Sequence, residues 1–312
     1  MTEPFHIRLP ATSANLGPGF DAVAVALDFY LDIEAVPAAE FSIQASGRDA
    51  ERCGRLENNL VLDLYSQILL REGRSILPLA IQMRNEIPLG MGCGSSASGR
   101  LAALALAVHF GNLGWSDERI VQEAALLEGH PDNVAACWHG GFVAAAQSGA
   151  VVRFARIEPP AEWRAIIVLP TEPLATSAAR AVLPENYGRA DVVANLQAVA
   201  LLSAAFAQGS GELLALAMKD RIHQPYRETI CPMLPPLLPL AGRRGILGVA
   251  LSGAGPAVLV ILESKESIPF ASAEIQTALD GLPPAELLVT QFFTTGTTFR
   301  AAVESSNSQQ DY

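Results

Sequence analysis

In Pro88-Leu-Gly-Met-Gly-Cys-Gly-Ser-Ser-Ala-Ser98, three glycines alternate before two serines open an alanine- and leucine-rich run to about Phe110. Leu79 to Glu86, just upstream, carries the apolar alternation of a strand. The segment therefore reads as strand, glycine loop, helix. Glycine lets backbone N–H groups turn inward and lets a ligand approach the chain closely. The N-terminus of the following helix adds a partial positive charge and unpaired N–H donors. Together they form an anion cradle that needs no lysine. Ser95 or Ser96 offers a hydroxyl to a phosphate oxygen or to Mg²⁺. On composition alone, a plain strand-to-helix turn with serine caps competes with this reading on equal terms.

Outward from this loop, strands and helices mix in both halves of the chain. Phe5 to Leu9 reads as a first strand, Pro10 to Gly19 as a loop of small residues, and Val23 to Ile33 as a long strand of period two. A short strand is expected at Phe41 to Ala45. Helical periods place helices at Asn59 to Glu72 and, capped by Ser116, up to about Glu128. Gly129 to Gly141 reads as a mixed polar and glycine segment, with strands following at Phe142–Ala146 and Val151–Ile157. Pro159 and Pro160 mark the boundary. Beyond it, a strand is expected at Trp163–Leu169 and helices at Ser177–Val182, Val192–Gln208 and Glu212–Lys219. Paired strands follow at Ile246–Leu251 and Ala257–Leu262, then a helix near Ser267–Leu279 and closing strands near Leu287–Phe293 and Thr297–Ala301. The expected division is 1–160, 161–304 and a polar tail 305–312.

The 312 residues carry 21 Lys+Arg against 32 Asp+Glu, a net charge of −11. No global basic footprint for nucleic acid exists, so any anionic ligand needs a local site. The mean hydropathy of +0.27 excludes a disordered chain. Only Lys219 and Lys265 are lysines, and neither follows a glycine loop, which removes the P-loop. Cys53, Cys93, Cys137 and Cys231 form no CxxC pair. They read as reduced thiols of a cytoplasmic protein, without a zinc site or a disulfide framework. No signal peptide is visible at the N-terminus, and the apolar run Ile246–Leu262 is broken by Ser252, Gly253, Gly255 and Pro256, so no membrane partner is expected.

Three further loops carry chemistry-bearing residues. Pro10-Ala-Thr-Ser-Ala-Asn-Leu-Gly-Pro-Gly-Phe-Asp21 offers Asn15 and Asp21, although Asn, Asp, Gly and Pro also favour plain turns. Glu128-Gly-His-Pro-Asp-Asn133 places a carboxylate, an imidazole and an Asp-Asn pair together; Glu128 suits a hard cation, and His130 reads equally as a satisfied loop histidine. Leu251-Ser-Gly-Ala-Gly-Pro-Ala257 is either a close-approach loop or a tight hairpin. Arg180 and Arg227 are either surface charges or a bidentate clamp for a carboxylate.

In this order, the four loops resemble the GHMP kinase superfamily, and within it the homoserine kinase family. PATSANLGPGFD is similar to the family's N-terminal motif, PLGMGCGSSAS to its phosphate loop, EGHPDNVA with GGF to its central motif and LSGAGPAVLVI to its C-terminal motif. The resemblance implies an α/β (α+β) fold, with a ribosomal protein S5 domain 2-like N-terminal domain and a ferredoxin-like C-terminal domain. It implies ATP-dependent phosphorylation of L-homoserine on the route to threonine, with Mg²⁺. By resemblance, Pro88, Leu89, Gly90, Met91, Gly92, Cys93, Gly94, Ser95, Ser96, Ala97 and Ser98 wrap the ATP phosphates, and Asn59 lies near the adenine. Ser96 and Glu128 match the metal ligands, with Glu123 as the alternative acid. Asn15 and Asp21 match residues holding the amino end and positioning the hydroxyl. His130, Asn133 and Gly253 fall on the substrate side, and Arg180 and Arg227 match the carboxylate grip. Asn15, Asp21, Asn133 and Ser96 are the catalytic candidates, with no general base assigned. Cys93 stands where the loop usually has leucine; it is a small buried filler or a modifiable thiol near the nucleotide. Ala24 or Ala26 replaces a usual glycine, and Ala136-Cys137 a usual Pro-Ala. Another GHMP kinase, or an inactive ligand-binding relative, are the alternatives, and a homodimer is compatible with the apolar fraction.

Overall fold

The structure is a computed structural model that describes residues 5–301. The chain opens with β1 (Phe5–Asn15), β2 (Gly19–Pro37) and β3 (Ser42–Gly47), followed by α1 (Ala50–Cys53), α2 (Leu60–Arg71) and β4 (Leu79–Asn85). Helices α3 (Ser95–Phe110), α4 (Asp117–Glu128) and α5 (Asp132–His139) come next, then β5 (Phe142–Ser148), β6 (Val151–Ile157) and β7 (Arg164–Leu169). The remainder holds α6 (Thr176–Ala181), α7 (Arg189–Gln208), α8 (Leu214–Ala217), α9 (Gln224–Arg227), α10 (Leu234–Leu237), β8 (Ile246–Leu251), β9 (Val258–Leu262), α11 (Ile268–Ala278), β10 (Glu286–Gln291) and β11 (Thr298–Ala301).

Strand β2 organises the first sheet. Val23, Val25, Leu27, Phe29, Leu31 and Ile33 are all buried, so the period-two signal is a real sheet face. It pairs with β1 between Gly19 and Ala35 across two register shifts, with β4 over Leu31–Pro37 and with β5 over Val23–Val25. The result is a seven-stranded sheet in the order β11-β1-β2-β4-β3, with β5 on β2 and β6 on β5. Only β3 and β4 run parallel within it. Helix α3 is buried on nearly every side from Ala97 to Ala107, because the sheet and the neighbouring helices enclose it. Alanines Ala14, Ala24, Ala135, Ala136 and Ala145 form a small-residue patch with Val143 that lets α5 sit close to the sheet. The chain passes to a second, four-stranded antiparallel sheet, β10-β7-β9-β8, between Ile157 and Arg164.

Three differences from the sequence expectation matter for the site. Strand β1 runs on to Asn15, leaving only a tight turn before Gly19, because Ala11 to Ala14 pair with Leu27 to Ala24 across a bulge. The polar segment after Gly129 contains α5. The last described strand, β11, pairs with β1 in the first sheet, so the expected span 161–304 sends its final strand back across the boundary. The expected tail 305–312 lies outside the described residues. Helix α7 is long and apolar enough by composition to cross a membrane. Here Leu202, Ala205 and Phe206 pack inward, with Phe206 stacked 4.3 Å from Phe142 and edge-on to Trp163.

Candidate active site

A cavity of about 390 Å³ lies between the two sheets' loops. It is lined by all four loops that the sequence singled out. Gly90, Gly92 and Gly94 sit at φ of 72°, 78° and 75°, a region open to glycine at little cost. Gly94 precedes α3, whose first turn has no acidic residue. Such an acid would normally be favourable there, so the positive end of a sixteen-residue helix is left to an external anion.

The loop is docked by its backbone. The Thr12 N–H donates to the Cys93 carbonyl (3.1 Å), the Ser252 hydroxyl to the Gly92 carbonyl (2.7 Å) and the Ala257 N–H to the Met91 carbonyl (3.3 Å). Leu89, Gly90, Gly92 and Gly94 to Ser98 line the cavity, whereas Pro88, Met91 and Cys93 turn away from it. Cys93 is fully buried, and burial pushes its thiol up to about 12. Its side chain packs in the core beneath the loop, in surroundings that favour the thiol over the thiolate. Ser98 is buried and donates to the Ser95 carbonyl at 3.1 Å, so its hydroxyl is occupied inside the helix.

Ser96 Oγ and Glu128 Oε1 are joined by the Arg100 guanidinium, which hydrogen bonds to both. Arg100 was invisible to motif reading; its signal is the i, i+4 spacing from Ser96 on one helix face. A hydroxyl and a carboxylate gathered around a cation are the oxygen donors that Mg²⁺ prefers, so these two residues fit the ion. Glu123 lies elsewhere, paired with Arg71 at 2.9 Å.

At the other end of the cavity the backbone is strained. Asn15, Leu16 and Asp21 have φ of 70°, 45° and 55°, costing roughly 1–3 kcal/mol each, a pattern that clusters at functional sites. The turn is held from outside by Asn195, whose amide donates to the Pro18 carbonyl at 2.6 Å. Asn15 itself is a bracket: its Nδ2 donates to the Gly253 carbonyl (2.8 Å) and its Oδ1 accepts the Asp21 N–H (3.1 Å). Asn133 is another, accepting the Thr12 hydroxyl at 2.7 Å. Asn59 caps α2, accepting from the Val61 and Leu62 N–H groups and donating to the Cys53 and Arg55 carbonyls. These three amides line the cavity, and their hydrogen bonds fix the shape of its wall.

Charged groups line the same end of the cavity. Asp21 pairs with Arg180 at 2.7 Å. His130 Nδ1 bonds Asp132 Oδ1 at 2.8 Å. Burial opposes charging of His130, but the Asp132 hydrogen bond and the charges of Asp132, Asp21 and Glu128 outweigh it and raise its pKa. Asp21, His130 and Asp132 bring their ligand atoms within 4.8 Å of one another. Arg227 is 1% exposed yet lines the cavity, and it has no carboxylate partner among the described residues. Burial and the nearby Arg180 guanidinium lower its pKa. The Phe20 ring lies beneath both guanidiniums, at 5.3 Å from Arg180 and 5.5 Å from Arg227.

The chain matches the family described as GHMP kinases N terminal domain over residues 59–141 and GHMP kinases C terminal over residues 202–281. It is 46% identical over 260 residues to the homoserine kinase of Solibacter usitatus, covering 83% of this chain and 85% of that protein. It is 36% identical over 286 residues to the homoserine kinase of Synechocystis sp., covering 90% and 94%. The crystal structure of homoserine kinase from Cytophaga hutchinsonii superposes with a TM-score of 0.78 at 24% identity, covering 96% of this chain and 98% of that one.

Proposed function

The chain belongs to the homoserine kinases of the GHMP kinase superfamily, and from that membership we propose how the cavity performs the reaction. It is an ATP-dependent kinase acting on an alcohol, converting L-homoserine to O-phospho-L-homoserine for threonine biosynthesis. The observation that carries our reading of the site is Arg227. A buried guanidinium without a counter-charge is costly, so the cavity requires an anion there, and the substrate carboxylate meets that need beside Arg180. In an α-amino acid the ammonium and carboxylate sit on the same carbon. The Asp21–Arg180 pair at 2.7 Å matches that head group, with Asp21 for the ammonium and Arg180 for the carboxylate. The substrate hydroxyl then extends toward the phosphate loop.

ATP would lie along Gly90 to Ser98, its phosphates over the α3 N-terminus and its base toward the Asn59 wall. Ser96 and Glu128 would hold Mg²⁺, which neutralises charge on the phosphates. Phosphoryl transfer depends mainly on position and charge neutralisation, with a loose transition state, and we assign no strong general base. His130 and Asp132 hold the substrate-side wall. L-homoserine as the small-molecule partner, the absence of nucleic-acid and membrane partners, the cytoplasmic location and a homodimer are our proposals, the last supported by Val193 and Leu196 exposed on α7.

The test is an ADP-release assay with Mg-ATP and L-homoserine, L-threonine, L-serine, mevalonate or galactose. Turnover is expected with homoserine alone. Turnover with mevalonate or galactose and none with homoserine would overturn the assignment of Arg180 and Arg227. A second expectation separates the two acids. Glu128→Gln should raise the Mg²⁺ concentration for half-maximal rate at least about tenfold, whereas Glu123→Gln should leave it unchanged. The reverse pattern in a Mg²⁺ titration would move the metal site.

A further inference from the structure

We propose that His223 is a positioning residue that aims Arg227 at the substrate carboxylate, and that its value lies in being a neutral hydrogen-bond acceptor. This deepens the reading of Arg227 given above and rests on it. His223 and Arg227 are 0% and 1% exposed. Arg227 Nη1 lies 3.0 Å from His223 Nδ1, and His223 Nε2 lies 2.7 Å from the Gly17 carbonyl. A guanidinium has no acceptor, so Nδ1 must carry a lone pair; a carbonyl has no donor, so Nε2 must carry the hydrogen. Only the neutral Nε2–H tautomer satisfies both partners. Its other end grips the strained turn that holds Asn15 and Asp21, so clamp and turn are one unit.

Arg227 also donates through Nε to the Ala179 carbonyl (3.0 Å) and through Nη1 to the Gly253 carbonyl (3.4 Å). Every protein group that Arg227 bonds is therefore uncharged. Nη2 has no protein partner among the described residues, and it is the end left for a ligand. A carboxylate in place of His223 would hold the guanidinium as firmly, but it would cancel the charge that the substrate must meet. The neighbouring Asp220 is already spent. Its buried carboxylate accepts the Ile222, His223 and Gln224 N–H groups at 2.9, 2.9 and 2.6 Å and stays 3.6 Å from His223 Nε2.

The groups that face His223 are Asp220, Arg227, Asp21 and the Phe20 ring, the last at 5.3 Å. Burial, the largest effect, holds the imidazole below the ordinary histidine value, and Arg227 adds to this against the two carboxylates. Protonation would turn Nδ1–H against the guanidinium and release Arg227. The affinity for homoserine should therefore fall on the acid side, at a pH under the ordinary histidine range.

Asn and Asp are nearly isosteric and differ in charge, so H223N and H223D separate the electrostatic role from a structural one. H223N keeps a neutral acceptor and should raise the homoserine KM no more than about fivefold. H223D should raise it by about thirty- to a hundredfold, with the ATP KM within about twofold in both. The acid-side rise of the wild-type homoserine KM should be smaller in H223N, which keeps only the part that His130 contributes. Equal homoserine KM values for H223N and H223D would overturn the inference. Should H223D not fold, the pH comparison decides alone: parallel wild-type and H223N curves overturn it. If R227M raises the homoserine KM while H223N and H223D agree, this inference fails and the site reading stands. If R227M leaves KM unchanged, the site reading itself fails.

Discussion

Arg227→Met should raise the homoserine KM by about two to three orders of magnitude and leave the ATP KM within about twofold. The size follows from what Arg227 faces. Truncating one member of a buried, hydrogen-bonded charge pair costs about 2–5 kcal/mol, and each 1.4 kcal/mol is about tenfold in affinity. Methionine keeps most of the apolar stem, so the loss is chiefly of charge and donors. The same substitution separates function from stability. Arg227 is 1% exposed and has no carboxylate salt-bridge partner among the described residues, and holding a poorly compensated ion there costs several kcal/mol. Against that, the protein gives up hydrogen bonds to Ala179, His223 and Gly253, of which the Gly253 carbonyl keeps its bond from Asn15. The substrate-free variant should therefore melt within a few degrees of wild type, or above it. What disappears is the rise in Tm that L-homoserine gives the wild type. Calorimetry with and without homoserine, beside steady-state kinetics, checks both. An unchanged KM would remove Arg227 from the site.

The sequence was most readable where the backbone itself is periodic or punctuated. The alternation through β2 and the glycines at 90, 92 and 94 placed a strand and a glycine loop before a helix, both of which the structure contains. Helix α5 escaped because Gly129 and Pro131 break the pattern just before it, and its stability comes from alanines packed on the sheet. Motif reading named the polar residues of the site but could not divide their labour. Asn15, Asn59 and Asn133 carry hydrogen-bonding amides, and long-range partners such as Gly253 and Thr12 set the orientation of two of them, which spacing in the sequence does not show. The same blindness hid Arg100 and His223, each of which joins an i, i+4 neighbour to a distant group, Glu128 and the Gly17 carbonyl respectively. Charge was legible at Asp21, Arg180 and Arg227, but its pairing was not. That Asp21 is neutralised by Arg180 while Arg227 is not depends on three segments from both halves of the chain.

Gly92→Ala should cost on the order of 3 kcal/mol or more and lower Tm by about 5–10 °C, while also raising the ATP KM. Two effects add at this position. The φ of 78° strains any residue with a side chain, at about 1–2 kcal/mol. A Cβ there would also lie 2.1 Å from the Ser252 carbonyl oxygen and 2.9 Å from that of Gly255. Both obstacles are backbone, so neither can rotate aside. The phosphate loop would have to lift off the β8–β9 loop, losing the bond from the Ser252 hydroxyl to the Gly92 carbonyl. Gly73→Ala provides the comparison. Its φ is 67°, but nothing lies within 4 Å of the added carbon, so only the conformational cost of about 1 kcal/mol applies. The difference in Tm between the two variants isolates the clash. If they melt together, the two loops are not held in contact through Gly92. If Gly92→Ala melts low but binds ATP normally, the loop does not cradle the phosphates. Both falling in step is the outcome expected if the glycine loop that meets the nucleotide rests directly on the backbone of the β8–β9 loop.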